Sequence, residues 1–344
     1  MPESFFALSR QDQGEVLEQA RENTGRPTHL LEKDVWVVWT LGALFGSASP
    51  LAADLTFKGG TSLSKAHRII DRFSEDIDLT FDIRKLIADL TGGEQFLPTS
   101  RSQSAKWTKA VRDRLPGWIE NDVMPLLRSA LERSKLDATL EMAGAEQDKL
   151  LLRYPAIKQG TGYVQPVIAL EFGGRATGEP RQPVPIACDM AGHVDGVSFP
   201  VATPVVMSVA RTFWEKATAT HVYCAQGRIR GERYSRHWHD LAAIMRSAHF
   251  DTVLRDREVA QAVAEHKSHF FSEKKAGGEI IDYAAAVRGE LQIVPQGPAR
   301  DALSADYAQM LEDEVMVGNA MGFDELMQAC AELCARANAA AAAN

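Results

Sequence analysis

A glycine pair followed by two aspartates on one predicted strand limits the folds open to this chain more than any other feature. Gly59 and Gly60 follow a short apolar run, and fifteen residues separate Gly60 from Asp76, which precedes Asp78 in an alternating segment. Because residues i and i+2 of a strand share a face, the two carboxylates should lie on one side, about 6.6 Å apart along the strand. The residues that alternate with them should face the core: Ile77, Leu79 and Phe81.

Two such carboxylates suit Mg²⁺ bound to a triphosphate, because Mg²⁺ prefers one or two carboxylates together with phosphate oxygens. The glycines let phosphates approach the backbone beside the free N–H groups of a helix start. Gly-Gly alone usually marks a tight turn, and Asp-x-Asp alone is often a solvated face. Their order and proximity predict a nucleotidyl-transfer site with Mg²⁺ as cofactor and an NTP as substrate. We predict metal binding by Asp76 and Asp78, and nucleotide binding by Lys58, Gly59, Gly60, Thr61 and Ser62.

The predicted strand near residues 164–172 contains Glu171, which alternates with apolar neighbours. A third carboxylate on a later strand is a candidate metal ligand, and a surface glutamate is an equally good interpretation. The sequence therefore leaves two roles open for Glu171.

Two segments of this region resemble motifs of a known family. The run Lys58-Gly59-Gly60-Thr61-Ser62-Leu63 and the run Ser74-Glu75-Asp76-Ile77-Asp78-Leu79 are similar to the first two motifs of the AbiEii/AbiGii nucleotidyltransferase toxins. These toxins include the mycobacterial MenT proteins and belong to the polymerase-β-like superfamily.

Later segments extend the resemblance, which spans roughly residues 32–244 in motif order. Residues 211–216, together with His221, resemble the third motif, which is centred on Lys216. Residues 233–241 resemble the fourth motif, which is centred on Asp240. The early Glu32-Lys33-Asp34 segment is similar to the family's N-terminal region.

The resemblance implies an α/β fold of the polymerase-β nucleotidyltransferase kind, with a mixed sheet and a C-terminal helical lobe. It implies that Lys216 contacts phosphates and that Asp240 orients Lys216 or the acceptor, with all four motifs meeting in one cleft. It also implies a growth-inhibiting toxin of a toxin–antitoxin or abortive-infection system. A neighbouring gene would encode an antitoxin that acts without a stable complex.

Other interpretations of these residues remain open. Lys216 could be a solvated lysine, and Asp240 could pair only with Arg236 one helical turn earlier. His239-Asp240, with His237 and His221, also fits an HD-type metal phosphohydrolase, because imidazole is a common metal ligand. A non-catalytic nucleotide sensor or protein-binding module is a third possibility.

The pattern along the chain predicts an α/β lobe over residues 1–205 and a helical lobe over residues 206–344. Ser9 should cap a first helix, and a second should span Thr28 to Phe45, with apolar residues at helical spacing. Residues 91–105 read as a surface loop, and Pro204 suits the first turn of the helix that carries Lys216.

Charge is unevenly distributed in this chain, whose formal net charge is −8. Residues 211–246 carry a local charge of +4, whereas residues 301–344 hold eight acids and one arginine. A basic active-site face on an acidic body suits a nucleotide and an RNA acceptor, most simply tRNA. The arginines that motivate this prediction surround the fourth motif: Arg228, Arg230, Arg233 and Arg236.

The N-terminal residues lack the basic and apolar regions of a signal peptide, and no apolar run approaches the length of about 20 residues that a membrane span needs. We therefore expect a cytoplasmic protein with no membrane partner.

Overall fold

The computed structural model describes residues 2–158, 165–229, 233–312 and 320–342. Arg230 of the predicted basic cluster lies outside the described residues. The strands are β1 Glu3–Ser4, β2 Leu55–Lys58, β3 Ile77–Phe81, β4 Thr139–Ala143, β5 Lys149–Arg153, β6 Val167–Gly173, β7 Arg181–Pro183, β8 Ile186–Ala187, β9 Val197–Ser198, β10 Val201–Ala202 and β11 Val205–Met207.

The helices are α1 Arg10–Thr24, α2 Thr28–Phe45, α3 Gly59–Lys65, α4 Ile83–Leu86, α5 Ala88–Thr91, α6 Arg101–Trp118, α7 Met124–Ser134, α8 Val209–Gln226, α9 Ser235–Arg246, α10 Phe250–Arg255, α11 Arg257–Phe270, α12 Tyr283–Ala285, α13 Pro298–Glu312 and α14 Phe323–Ala342. A 3₁₀ turn covers Phe5–Ala7, and π-helical turns cover Ile119–Val123 and Ala286–Glu290. Among the described helices, none combines the length and apolar character that crossing a bilayer requires.

The chain divides into two compact units, a sheet unit and a helical unit. The sheet unit consists of the described parts of Met1–Ala66, Phe73–Phe96 and Lys109–Val206. The helical unit consists of the described parts of His67–Arg72, Leu97–Thr108 and Met207–Asn344. The predicted division into residues 1–205 and 206–344 stays a prediction, and the helical unit also draws on two earlier segments.

Seven of the described strands form one mixed sheet in the order β4-β5-β6-β3-β2-β11-β7. At its centre, β3 pairs in parallel with β6 and antiparallel with β2, and β11 joins β2 in parallel. The predicted fold class, a mixed α/β fold with a largely helical C-terminal part, is confirmed.

Helix α2 is the central helix of the sheet unit. It begins at Thr28 and ends at Phe45, which are the predicted bounds, and its residues are buried without interruption from Leu30 to Val38. A helix buried on every side lies inside a core rather than on its surface. Ser9 caps the preceding helix as predicted, accepting a hydrogen bond from the Asp12 N–H.

Two sequence predictions about element boundaries are wrong. Pro204 does not open the helix that carries Lys216, because residues Val205–Met207 form β11 and α8 begins only at Val209, where Ser208 accepts a hydrogen bond from the Arg211 N–H. The predicted loop 91–105 ends early, since α6 starts at Arg101. In both places a serine directly before the helix accepts a hydrogen bond from a backbone N–H group of the first helical turn. Ser208 caps α8 in this way, and Ser100 caps α6 by accepting from the Gln103 N–H.

Candidate active site

The two predicted aspartates share one face at the centre of the sheet. Asp76 comes directly before β3 and Asp78 lies within it, and both side chains are half-buried. Ile77 and Leu79, which alternate with them, are fully buried. The strand therefore has the predicted buried face, and its other face carries the two carboxylates.

Strand register places charged side chains in a row across four neighbouring strands. Asp78 lies opposite Lys58 of β2 and opposite Glu171 of β6, and Glu171 lies opposite Lys149 of β5. Residues directly opposite each other on paired strands lie on the same face of the sheet. The row therefore reads lysine, aspartate, glutamate, lysine, with a cation at each end.

Lys149 is a site residue that sequence reasoning missed. Its ammonium forms an ion pair with Glu171. Burial alone would lower the pKa of Lys149, but the hydrogen bond to Glu171 and the negative charges of Glu171 and Asp76 raise it. Its place directly before three consecutive leucines of a predicted strand was the only sequence signal, and that signal does not reveal its partner.

Gly59 fits closely against Asp78. Its φ is +78°, and a Cβ atom at this position would overlap the Asp78 carboxylate. The carboxylate therefore occupies the space that any other residue at position 59 would need for its side chain. This contact joins the glycine motif to the aspartate motif within the sheet unit.

The hydroxyl groups of Thr61 and Ser62, in the glycine motif, form hydrogen bonds within the protein. Thr61 donates a hydrogen bond to the carbonyl oxygen of Asp76 and lies 2.9 Å from Ser74 Oγ. Ser62 donates to the carbonyl oxygen of Gly59 at 2.9 Å. Both side chains are fully buried. In this geometry Thr61 ties α3 to the backbone of Asp76, a role that the sequence did not indicate.

The donor set on this face fits a magnesium ion. Among the described residues, groups of three or more His, Cys, Asp or Glu side chains arranged to hold a metal are absent. Mg²⁺ does not require such a cage, since one or two carboxylates with phosphate oxygens and water complete its shell. Asp76 and Asp78 supply two half-exposed carboxylates on one face, and Glu171 of the neighbouring strand forms an ion pair with Lys149.

The helical unit holds a second charged group around Asp240 of α9. Both oxygens of this fully buried carboxylate are bound by Arg72, through Nε at 2.7 Å and Nη2 at 2.8 Å. Lys216 of α8 reaches the same carboxylate at 3.0 Å, and its Nζ lies 3.5 Å from Nδ1 of His237. The structure thus brings Lys216 and Asp240 together and adds Arg72, which sequence reasoning did not single out.

The charges of this group fix its protonation. Burial would raise the pKa of Asp240, but the positive charges of Arg72 and Lys216 hold it well below the usual range. Burial and the charge of Lys216 lower the pKa of His237 to about 3. Asp240 is therefore an anion and His237 is neutral near pH 7, which leaves Lys216 with a carboxylate partner and an uncharged imidazole neighbour.

The histidines of the hydrolase alternative do not form a metal site in the described part of the chain. Nδ1 of His221 accepts a hydrogen bond from the Gln292 N–H. Nδ1 of His239 lies 3.5 Å from Asp240, whose carboxylate already binds Arg72 and Lys216. The geometry therefore gives the HD-type interpretation no support.

The predicted basic cluster lies in the helical unit, as far as it is described. Arg228 follows the end of α8 and is exposed. The backbone N–H groups of Arg233 and Ser235 both donate to the carboxylate of Asp306, which fixes the start of α9.

Comparison with known proteins identifies the family. The sequence profile of the nucleotidyl transferase AbiEii toxins, of type IV toxin–antitoxin systems, matches residues 42–329. The chain belongs to this family. It is a nucleotidyltransferase toxin of a toxin–antitoxin system, and the predicted family membership and enzyme class are confirmed.

Solved structures of similar fold include MenT4, a nucleotidyltransferase toxin from Mycobacterium tuberculosis. It is 16% identical with a TM-score of 0.42, and the match covers 98% of this chain and 99% of MenT4. JHP933 from Helicobacter pylori is 13% identical with a TM-score of 0.42, and 90% of this chain and 92% of that one are covered. A comparison with curated proteins found no match.

We expect Gly59→Ala to weaken NTP binding because its Cβ atom must displace the Asp78 carboxylate. The left-handed backbone adds a cost of about 1–2 kcal/mol for a non-glycine residue. Gly93→Ala is the matched control, since Gly93 has a φ of +80° and open space around a Cβ atom. Calorimetric titration with NTP, alongside thermal unfolding, separates the two effects. Equal NTP affinity in the two variants would contradict the proposed role of the contact.

We expect Lys216→Met to raise the pKa of His237, because a nearby positive charge disappears. The lowered folded-state pKa means that His237 contributes stability above its unfolded pKa of about 6.5, and this contribution is lost as the pH falls toward 3. NMR titration of the imidazole, assigned with His237→Gln, measures the shift. Arg255→Gln, at an exposed position of the helical unit, is the control. An unchanged titration in Lys216→Met would contradict the electrostatic coupling.

Proposed function

We propose that this toxin is a Mg²⁺-dependent enzyme that transfers NMP from an NTP to RNA, with the acceptor end of tRNA as its substrate. The observation that carries this proposal is the acidic face of the sheet, where Asp78 lies against Gly59 and shares its face with Asp76 and Glu171. Mg²⁺ bound there would offset the charge of the triphosphate and of the departing pyrophosphate.

Different residues of the sheet face are proposed to bind the metal and the phosphates. We assign the metal to Asp76 and Asp78, because both carboxylates are partly exposed on one face. Lys58 and Lys149 stand at the ends of the charged row, where an ammonium group attracts phosphate oxygens. Glu171 orients Lys149 through their ion pair and remains close enough in register to Asp78 to serve as a third carboxylate.

The lysine that the third motif singles out lies in the helical unit. We propose that Lys216 contacts the phosphates and that Asp240 holds its ammonium in place, while Arg72 keeps Asp240 ionised. A fixed positive charge stabilises the negative charge that develops on the transferring group.

An RNA acceptor is favoured by the distribution of charge. On a chain of net charge −8, arginines concentrate between Lys216 and Asp240. Contacts from such side chains to phosphates would position an RNA end without reading its sequence. We further propose that the enzyme acts in the cytoplasm and that its antitoxin counteracts it without a stable complex.

We expect Asp78→Asn to abolish Mg²⁺-dependent NTP binding and to reduce transfer at least about 100-fold, a loss typical of removing one electrostatic contact to the transition state. The fold should persist, because the buried face of β3 is unchanged. Asp137→Asn, at an exposed acid of the sheet unit, is the control. Calorimetry with NTP and Mg²⁺ measures the affinity of each variant. Equal affinity in wild type and Asp78→Asn would overturn the metal assignment. Asp76→Ala and Lys216→Ala should also lose transfer.

We expect label from one or more radioactive NTPs to appear on tRNA when the enzyme is incubated with Mg²⁺ and total cellular RNA and protein. The affinity for tRNA should fall steeply as the salt concentration rises. In the double variant Arg228→Gln with Arg233→Gln, the slope of log affinity against log salt concentration should be shallower by about 0.7–0.9 for each phosphate that is no longer neutralised. Arg255→Gln with Arg336→Gln is the charge-matched control. Label on protein alone would redirect the proposal to protein nucleotidylation, and no label on either would overturn the proposed RNA acceptor.

A further inference from the structure

Three consecutive charged residues are buried in α2. Glu32, Lys33 and Asp34 are between 1% and 3% exposed. Successive residues of an α-helix are turned by about 100°, so the three side chains leave the helix in different directions. Buried charges are tolerated only when each is paired or hydrogen-bonded. Each of these residues must therefore have its own partner within the sheet unit.

The partner of Lys33 is the residue directly before Asp76. Lys33 Nζ lies 2.7 Å from a carboxylate oxygen of Glu75 and 3.0 Å from the carbonyl oxygen of Gln165. Glu75 is itself buried. The ion pair therefore fixes the backbone at the entry to β3, one residue before the first carboxylate of the proposed metal site.

The partners of Asp34 fix the other half of the site. Asp34 forms an ion pair with Lys65 and accepts a hydrogen bond from the Asp189 N–H at 2.6 Å. Lys65 also pairs with Asp189 and is the last residue of α3, the seven-residue helix that begins at Gly59. Holding the end of so short a helix also holds its beginning.

Glu32 has a different kind of partner. Its carboxylate accepts hydrogen bonds from the backbone N–H groups of Ile157 and Lys158. These residues follow β5 and lie outside the glycine and aspartate motifs. Glu32 is therefore a matched comparison for its neighbours, because it lies on the same helix and is equally buried but has hydrogen-bond partners outside both motifs.

We propose that Lys33 and Asp34 are positioning residues that set the spacing between the glycine segment and the two aspartates. Lys33 acts through Glu75 on Asp76 and Asp78, and Asp34 acts through Lys65 on Gly59. Thr61 closes the arrangement, because its hydroxyl binds the carbonyl oxygen of Asp76 from α3. This inference rests on the proposed function only for its consequence in nucleotide binding, whereas the ordering of the two segments can be measured by itself.

The first measurement is hydrogen exchange of the intact protein without ligand. Lys33→Met takes the Lys33 ammonium away from the buried Glu75 carboxylate and should destabilise the protein. Lys33→Met with Glu75→Leu removes both charges and should recover stability, since an apolar pair of similar volume often replaces a buried ion pair without loss. We expect faster exchange in residues 73–81 in the double variant than in wild type. Exchange unchanged in this segment would overturn the proposal.

The second measurement is calorimetric titration with Mg²⁺ and NTP. The double variant and Asp34→Asn should bind 10- to 100-fold more weakly, as is usual when residues that orient metal ligands are changed. Glu32→Gln should lose stability but keep its affinity. Wild-type affinity in the stable double variant would overturn the positioning role. Absence of Mg²⁺-dependent NTP binding in wild type would instead overturn the proposed function, and hydrogen exchange would still decide the ordering role.

Discussion

The pairing of β3 with β2 on one side and with β6 on the other is the constraint on which the site depends. This register sets Asp78 between Lys58 and Glu171 and brings Gly59, one residue beyond β2, against the Asp78 carboxylate. A slip of one residue would turn every side chain of β3 to the opposite face. The buried Ile77 and Leu79 prevent that slip, so the hydrophobic core fixes where the carboxylates point.

In both units, buried charged side chains form ion pairs with other side chains of the same unit. In the helical unit, Asp240 binds Arg72 with both oxygens and Lys216 with one. In the sheet unit, Lys33 binds Glu75. Removing one member of such a pair costs more than the pair contributes, because the other charge is left buried and uncompensated. These contacts therefore specify geometry more than they add stability.

Short-range patterns explain why much of the sheet unit was predictable. Alternation with a period of two identified the faces of β3, and helical spacing of apolar residues gave both ends of α2. Lys149 and Arg72 were not predictable, because their partners Glu171 and Asp240 are distant in the sequence and the sequence alone gives no pairing between them. Pro204 misled for a related reason: Val205 and Val206 extend the sheet, a tertiary contact that overrides the local preference of proline for a helix start.

The Glu32-Lys33-Asp34 segment is a second case in which the sequence does not reveal the partners of charged residues. A run of charges on an amphipathic helix normally marks its solvated side, yet the apolar residues of α2 surround the run and leave it no such side. Burial was therefore implied by the neighbours of the charges rather than by the charges themselves. Once burial is forced, partners are required, and the partners found are the residues that border the glycine and aspartate motifs. The need to satisfy buried charge thus links the centre of the core to the face where the reaction is proposed to occur.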